Sequence, residues 1–202
     1  MHPYSTDVNR LRLVLLVLAV GAILLAWGLG HTLSALQLTA PWWLDTPAVL
    51  GFYGGLWQLY DRVLWQLGPV DRTLSGVPNL RGTWRGTLTS SFDEQTYDAT
   101  LVVRQTSSRI LIELRTGASR SHSYLAGVSA APGPDEGLRY LYRNVPDEGA
   151  THTMNAHGGS ARLQFSDGVD TLSGGYQSDR FRGTHGTLRF TRNERRSTGA
   201  VA

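Results

Sequence analysis

Leu13 to Gly30 and Thr46 to Tyr60 are apolar stretches without a charged residue, and from Arg81 onward the chain changes to short segments of alternating polar and apolar residues. A helix needs about 20 predominantly apolar residues to cross the hydrocarbon core of a bilayer. The first stretch, LVLLVLAVGAILLAWGLG, meets that length inside a segment with no charge between Arg12 and Asp45. The second runs on toward Leu67 and spans if Asp61 and Arg62 sit at the polar boundary. Residues 1–67 are therefore read as a transmembrane hairpin with spans at about 13–32 and 46–67. Trp42, Trp43, Trp57, Tyr60 and Trp65 cluster toward the ends of these segments, where a ring can keep its apolar body in lipid and its polar edge in water.

The connection from His31 to Asp45 holds no Lys or Arg, whereas Arg10 and Arg12 precede the first span and Arg62, Arg72 and Arg81 follow the second. The positive-inside rule then puts both termini, and the domain that follows, in the cytoplasm. A cleaved signal peptide is the competing reading. Against it stand an apolar run longer than the roughly 7–15 residues of a signal core, the second apolar segment, and the absence of Cys and of any Asn-x-Ser/Thr sequon. Residues 68–80, GPVDRTLSGVPNL, are rich in Gly and Pro and read as a linker, while 1–9 and 193–202 read as frayed tails. The formal charge is +3 and every basic residue is Arg, a balance that gives no argument for DNA or RNA as a partner.

Beyond the linker, period-2 segments recur at about 10-residue intervals: GTWRGTLTS, YDATLVVRQT, RILIELRT, SRSHSYLAGVS, LRYLYRNV, SARLQFSD, DTLSGGYQS and GTHGTLRFT. No amphipathic helix interrupts them. Residues 81–192 are thus expected to form a small antiparallel β-barrel of about eight strands, with a sandwich as the other closure, and such a barrel has interior for side chains or one small ligand. Alternation assigns the inward faces: Trp84 and Leu88; Leu101, Val103 and Gln105; Ile110, Ile112, Leu114 and Thr116; Leu138, Tyr140, Tyr142 and Asn144; Leu163 and Phe165; Leu172 and Tyr176; Leu188 and Phe190.

A search for catalytic chemistry returns little. There is no Cys nucleophile, Gly-x-Ser-x-Gly elbow, His-Glu-x-x-His or Walker loop, and His152 and His157 have no carboxylate at metal-ligand spacing, so no enzyme and no metal is expected. What stands out is a row of small hydroxyls, Thr116, Ser119, Ser121 and Ser123, the last three on one face of an extended segment. They are either solvent-facing residues of an edge strand or a buried row that needs partners. Tyr140 and Tyr142 are likewise either core aromatics with their hydroxyls at the rim or a ligand lining. Together with Gln105, Asn144, His157, Tyr176 and Arg182 these residues supply π faces, amide and hydroxyl donors and a cation, which is what a nucleotide ligand requires.

In order along the chain stand Tyr60, Asp61, Arg62 and Trp65 at the second-helix exit, Gly82-x-Trp84-x-Gly86, Gln105, Thr116 with the spaced serines, Tyr140-x-Tyr142-x-Asn144-x-Pro146, His157-x-Gly159, and Leu172-x-Gly174-x-Tyr176 before Gly183. From the first apolar helix to about Arg192 the chain resembles the two-transmembrane, β-strand-rich effectors of bacterial cyclic-oligonucleotide-based antiphage signalling (CBASS). The resemblance implies a barrel that binds a cyclic dinucleotide made by a cognate nucleotidyltransferase after phage infection, without a cofactor. It also implies that binding drives self-association, that the gathered helices disrupt the inner membrane, and that infection aborts as the cell dies. The pocket role it implies falls on the eleven residues from Gln105 to Arg182 named above. Gly51 and Gly55, four apart in the second span, mark a face for close helix packing, within the hairpin or between molecules. Gly82-x-Trp84 also opens lipocalin-like barrels, so a membrane-tethered carrier of a lipid or other hydrophobic ligand is the alternative. A barrel that hydrolyses a nucleotide or peptidoglycan fragment is a third reading.

Overall fold

From the N-terminus the chain forms two short strands, β1 (His2–Pro3) and β2 (Ser5–Thr6), and two helices, α1 (Leu11–Ala35) and α2 (Asp45–Arg62). Eight long strands follow: β3 (Gly82–Ser90), β4 (Thr96–Gln105), β5 (Arg109–Arg115), β6 (Ser119–Ser129), β7 (Gly137–Pro146), β8 (His157–Ser166), β9 (Thr171–Ser178) and β10 (His185–Arg192). The computed structural model describes residues 1–8, 10–38, 45–68, 75–131, 133–150, 155–166, 169–180 and 182–193. Trp42, Trp43, His152, residues 69–74 of the expected linker and nearly all of the expected C-terminal tail lie outside them. The chain divides into two units, Val8–Val77, and Met1–Asp7 together with Pro78–Ala202.

In the second unit each long strand pairs antiparallel with its sequence neighbours, and β10 pairs with β3, so β3 to β10 close into an eight-stranded up-and-down barrel. Closure with this register is what the alternation demands. Trp84, Leu101, Val103, Ile110, Ile112, Leu138, Leu163, Leu172, Leu188 and Phe190 are all buried inside, each worth about 1.5–3 kcal/mol when fully buried, and a one-residue slip of any strand would turn its set outward. Inward-facing glycines let the sheet bend this tightly. A Cβ at Gly86 would lie 1.8 Å from the Arg189 carbonyl oxygen, and one at Gly174 would lie 1.9 Å from that of Arg162.

One end of the barrel is plugged. The Arg192 guanidinium stacks 4.4 Å from the Trp84 ring centroid, donates to the carbonyls of Asn79 (2.7 Å) and Val169 (3.2 Å), and pairs with Asp170 at 3.3 Å. Trp84 Nε1 donates to Leu80 O at 3.0 Å. At the other end the mouth is open, lined by Phe92 and Asp93 after β3, by Gly117 and Ala118 between β5 and β6, and by Arg182 and Thr184 before β10.

The N-terminus is no frayed tail. β5 and β6 pair at Glu113 to Arg115 with Arg120 to His122, after which a bulge at Ser123 to Leu125 carries β6 away from β5. The Ile112 N–H, left without a strand partner there, donates to Ser123 Oγ at 3.0 Å. β1 pairs with β5 on one side of the gap and β2 runs parallel to β6 on the other. His2 Nε2 lies 2.8 Å from Ser123 Oγ, and the Asp7 carboxylate accepts from Ser129 Oγ (2.6 Å) and the backbone N–H groups of Ala130 (2.8 Å) and Ala131 (3.0 Å). Seven residues of uncharacteristic sequence become a seam filler because two exposed strand edges need backbone partners.

In the other unit α1 packs on α2, with Val14, Leu18, Tyr60 and Trp65 in the shared core. At 25 residues, about 37 Å of rise, α1 is the one helix among the described residues long and apolar enough to cross a membrane. It is apolar on all sides, yet Leu16, Ile23, Leu24 and Trp27 are exposed. α2 ends at Arg62 rather than continuing to Leu67, and a 3-10 turn over Leu64–Gln66 brings Trp65 inward. Trp65 is therefore fully buried in the helical core instead of standing at a lipid boundary, and Trp57 and Tyr60 also pack there. The close approach of the helices is at Gly21, where a Cβ would meet Leu56 Cδ1 at 3.3 Å; a Cβ at Gly51 or Gly55 meets nothing within 4 Å.

Candidate functional site

Above the Trp84 and Arg192 plug the barrel encloses a cavity of about 510 Å³ that opens at the mouth, within the roughly 300–1,000 Å³ of small-ligand sites. Leu88, Leu114 and Leu188 form apolar wall, and polar residues converge from the strands between them. Asn144 on β7 stands in register between Ser121 on β6 and His157 on β8, so three adjacent strands present a polar row near the mouth. Below it lie Tyr142 and Tyr140, ring centroids 6.2 Å apart. Each cavity tyrosine needs missing side chains nearby: a Cβ at Gly159 would lie 2.4 Å from the Tyr142 hydroxyl, and one at Gly186 would lie 2.6 Å from Tyr176 Cε1.

Tyr140, Tyr142 and Ser121 are more than nine-tenths buried, and their hydroxyls, with that of Tyr176, have no hydrogen-bond partner among the described residues. Burial, with the neighbouring phenol adding, pushes the Tyr140 hydroxyl far above its ordinary value, and burial does the same for Tyr142. Both remain protonated donors. These hydroxyls open onto the cavity and are not sealed against protein, so they are free to donate to a ligand that enters it.

The mouth adds charge. Arg182 sits on the β9–β10 turn, which Asp179 orders by accepting from the Arg182 N–H (3.2 Å) and the Gly158 N–H (2.9 Å), while Ser178 Oγ accepts the Thr184 N–H at 2.8 Å. The Arg182 guanidinium lies 5.6 Å from the Phe92 ring on the β3–β4 turn. Next to Phe92, Asp93 accepts from the Tyr97 hydroxyl and the Gln95 N–H, and these bonds hold its carboxyl below the usual range. Among the described residues no three His, Asp or Glu side chains come together as a metal site would require.

Of the residues expected from sequence, the fold brings Thr116, Ser119, Ser121, Tyr140, Tyr142, Asn144, His157, Tyr176 and Arg182 to this one cavity. Thr116 and Ser119 also bond to each other across the β5–β6 turn at 3.3 Å. Two lie elsewhere. Ser123 is taken up at the seam with His2 and Ile112, and Gln105 is at the plugged end, where its amide accepts from Leu80 N (2.8 Å) and donates to Pro78 O (3.1 Å). Phe92, Asp93, Tyr97 and Thr184 were not anticipated as lining. Phe92, Asp93 and Thr184 come from turns, which carry no period from which an inward direction could be read, while Tyr97 stands near the start of β4, in step with Leu101 and Val103.

A closed up-and-down barrel with one end plugged and uncommitted donors around a single cavity defines a small-ligand-binding barrel. Residues 75–192 match the family described as Cap15, cyclic dinucleotide receptor domain. CD-NTase-associated protein 15 of Yersinia aleksiciae is 35% identical over 145 residues, which are 71% of this chain and 69% of that protein. The chain belongs to the Cap15 cyclic dinucleotide receptor family, the family to which the residue-level resemblance pointed.

Proposed function

We propose that this protein is a membrane-tethered CBASS effector whose barrel captures a cyclic dinucleotide made by a cognate nucleotidyltransferase, and that capture gathers the helices and disrupts the inner membrane, ending the infected cell. The reading rests above all on the cavity: four hydroxyl donors without a partner among the described residues stand beside aromatic faces and an Arg, which suits a ligand with bases to stack and phosphate oxygens to accept. Family membership supports the ligand class. The barrel acts as a receptor without turnover.

α1 is apolar on every face, which suits lipid around it, and α2 completes a two-span hairpin with both termini in the cytoplasm, as Arg10, Arg12 and Arg62 favour. Gly51 and Gly55 leave an open face on α2 on which a second copy can pack. A ligand shifts such an assembly only by binding the assembled state more tightly than the isolated one. The test is a thermal-shift titration of the detergent-solubilised full chain against cyclic dinucleotides, followed by dye release from proteoliposomes of bacterial phospholipid. Stabilisation by one of them and leakage dependent on it are expected. Stabilisation by fatty acids or phospholipids alone, insensitive to salt, would replace this reading with the carrier.

A further inference from the structure

The charged or titratable side chains lining the cavity, phenols aside, are Arg182, His157 and Asp93 among the described residues. Its other polar groups are neutral donors. This is a sparse complement for a nucleotide, and one of the three, Asp93, is of the wrong sign for phosphate. The acid is fixed in place: Asp93 is held by Tyr97 and Gln95, Ser91 at the start of its turn donates its N–H to His185 O at 2.9 Å, and the adjacent Phe92 faces Arg182. An anion therefore stands at the rim beside the mouth's cation.

A cyclic dinucleotide carries two phosphodiesters, one negative charge each. Hydrolysis of one ester adds water, breaks one P–O bond and leaves a free hydroxyl and a terminal phosphate monoester, which carries about −1.5 to −2 at neutral pH. The opened molecule is thus more negative by up to about one unit and also longer. Resting on the receptor reading above, we propose that Asp93 is a specificity determinant that lets the barrel hold the closed, diester-only dinucleotide and disfavours its ring-opened product. A phosphodiesterase that opens the ring would then silence the signal at the receptor after a single hydrolysis. A like charge about 6 Å from Asp93 in water-exposed surroundings corresponds to roughly a threefold to tenfold loss of affinity.

The full chain in detergent is titrated calorimetrically with cyclic di-AMP, cyclic di-GMP and cyclic di-UMP, and then with the linear 5′-phosphorylated dinucleotide of the tightest binder. Wild type is expected to favour the cyclic form, Asp93→Asn to reduce the cyclic-to-linear ratio about threefold to tenfold, and about 1 M salt, with its screening length near 3 Å, to narrow the wild-type ratio. Equal affinity of wild type for both forms, a ratio unmoved by Asp93→Asn, or a wild-type ratio indifferent to salt would overturn the assignment of Asp93 while leaving the receptor reading intact. Failure of every cyclic compound to bind would overturn both.

Discussion

At the scale of single residues, Tyr142 and Gly159 make one unit: the ring lies where a side chain on the next strand would have been, and its hydroxyl is left facing the cavity. Tyr142→Phe keeps the packing and removes the donor. It should weaken cyclic dinucleotide binding by about 1 kcal/mol, roughly fivefold, in calorimetry, and an unchanged affinity would return this ring to the core. Gly174 answers to the backbone instead, with the Arg162 carbonyl where its Cβ would go. Gly174→Ala should cost about 1–3 kcal/mol of stability in chemical denaturation, as overpacking does. The motif Tyr140-x-Tyr142-x-Asn144 was legible as an inward face because period-2 alternation sets direction, whereas His157-x-Gly159 was marked only by the family resemblance. Ser123 and Gln105 obeyed the same alternation and are buried, yet the seam and the plugged end claimed their hydrogen bonds.

Among elements, the N-terminal arm is anchored at its far end by Asp7. The Ser129 hydroxyl and the Ala130 N–H lower its folded pKa below the ordinary 3.8, so its contribution is present above that value and is lost as pH falls through the lower, folded one. Asp7→Asn should loosen the arm at pH 7 and flatten its response to acid below about pH 4, seen as faster hydrogen exchange at Ser5 and Thr6. Wild-type protection that stays constant through that range would contradict the role. On α2, Gly55→Leu should preserve nucleotide binding and lower vesicle leakage, since it fills a face that the described residues leave open. Full leakage from that variant would remove the glycine face from the mechanism. Strand identity was readable in advance down to the limits of β3 and β6. The bulge in β6 has one local mark, the adjacent Tyr124 and Leu125, both exposed, which interrupt the alternation at that point.

For the molecule as a whole, the barrel's connections to residues 8–77 leave from the plugged end, at Asp7 and at Pro78. A fragment of residues 78–192 lacks β1 and β2 and exposes edges of β5 and β6. It should melt below the barrel of the full chain and self-associate with concentration in analytical ultracentrifugation, because unpaired edges recruit other strands; a monomer of equal stability would show the arm to be dispensable. Sequence alone settled the division into an apolar helical part and about eight short antiparallel strands, since burial of apolar area acts on local periodicity, and local order of residues carries that period; closure into a barrel over a sandwich came from the pairing of β10 with β3. Tertiary structure decided which polar groups face the ligand cavity, where the second helix ends and what fills the seam. Those outcomes depend on which backbone and side-chain donors find partners across residues distant in the chain, and no local pattern encodes that competition.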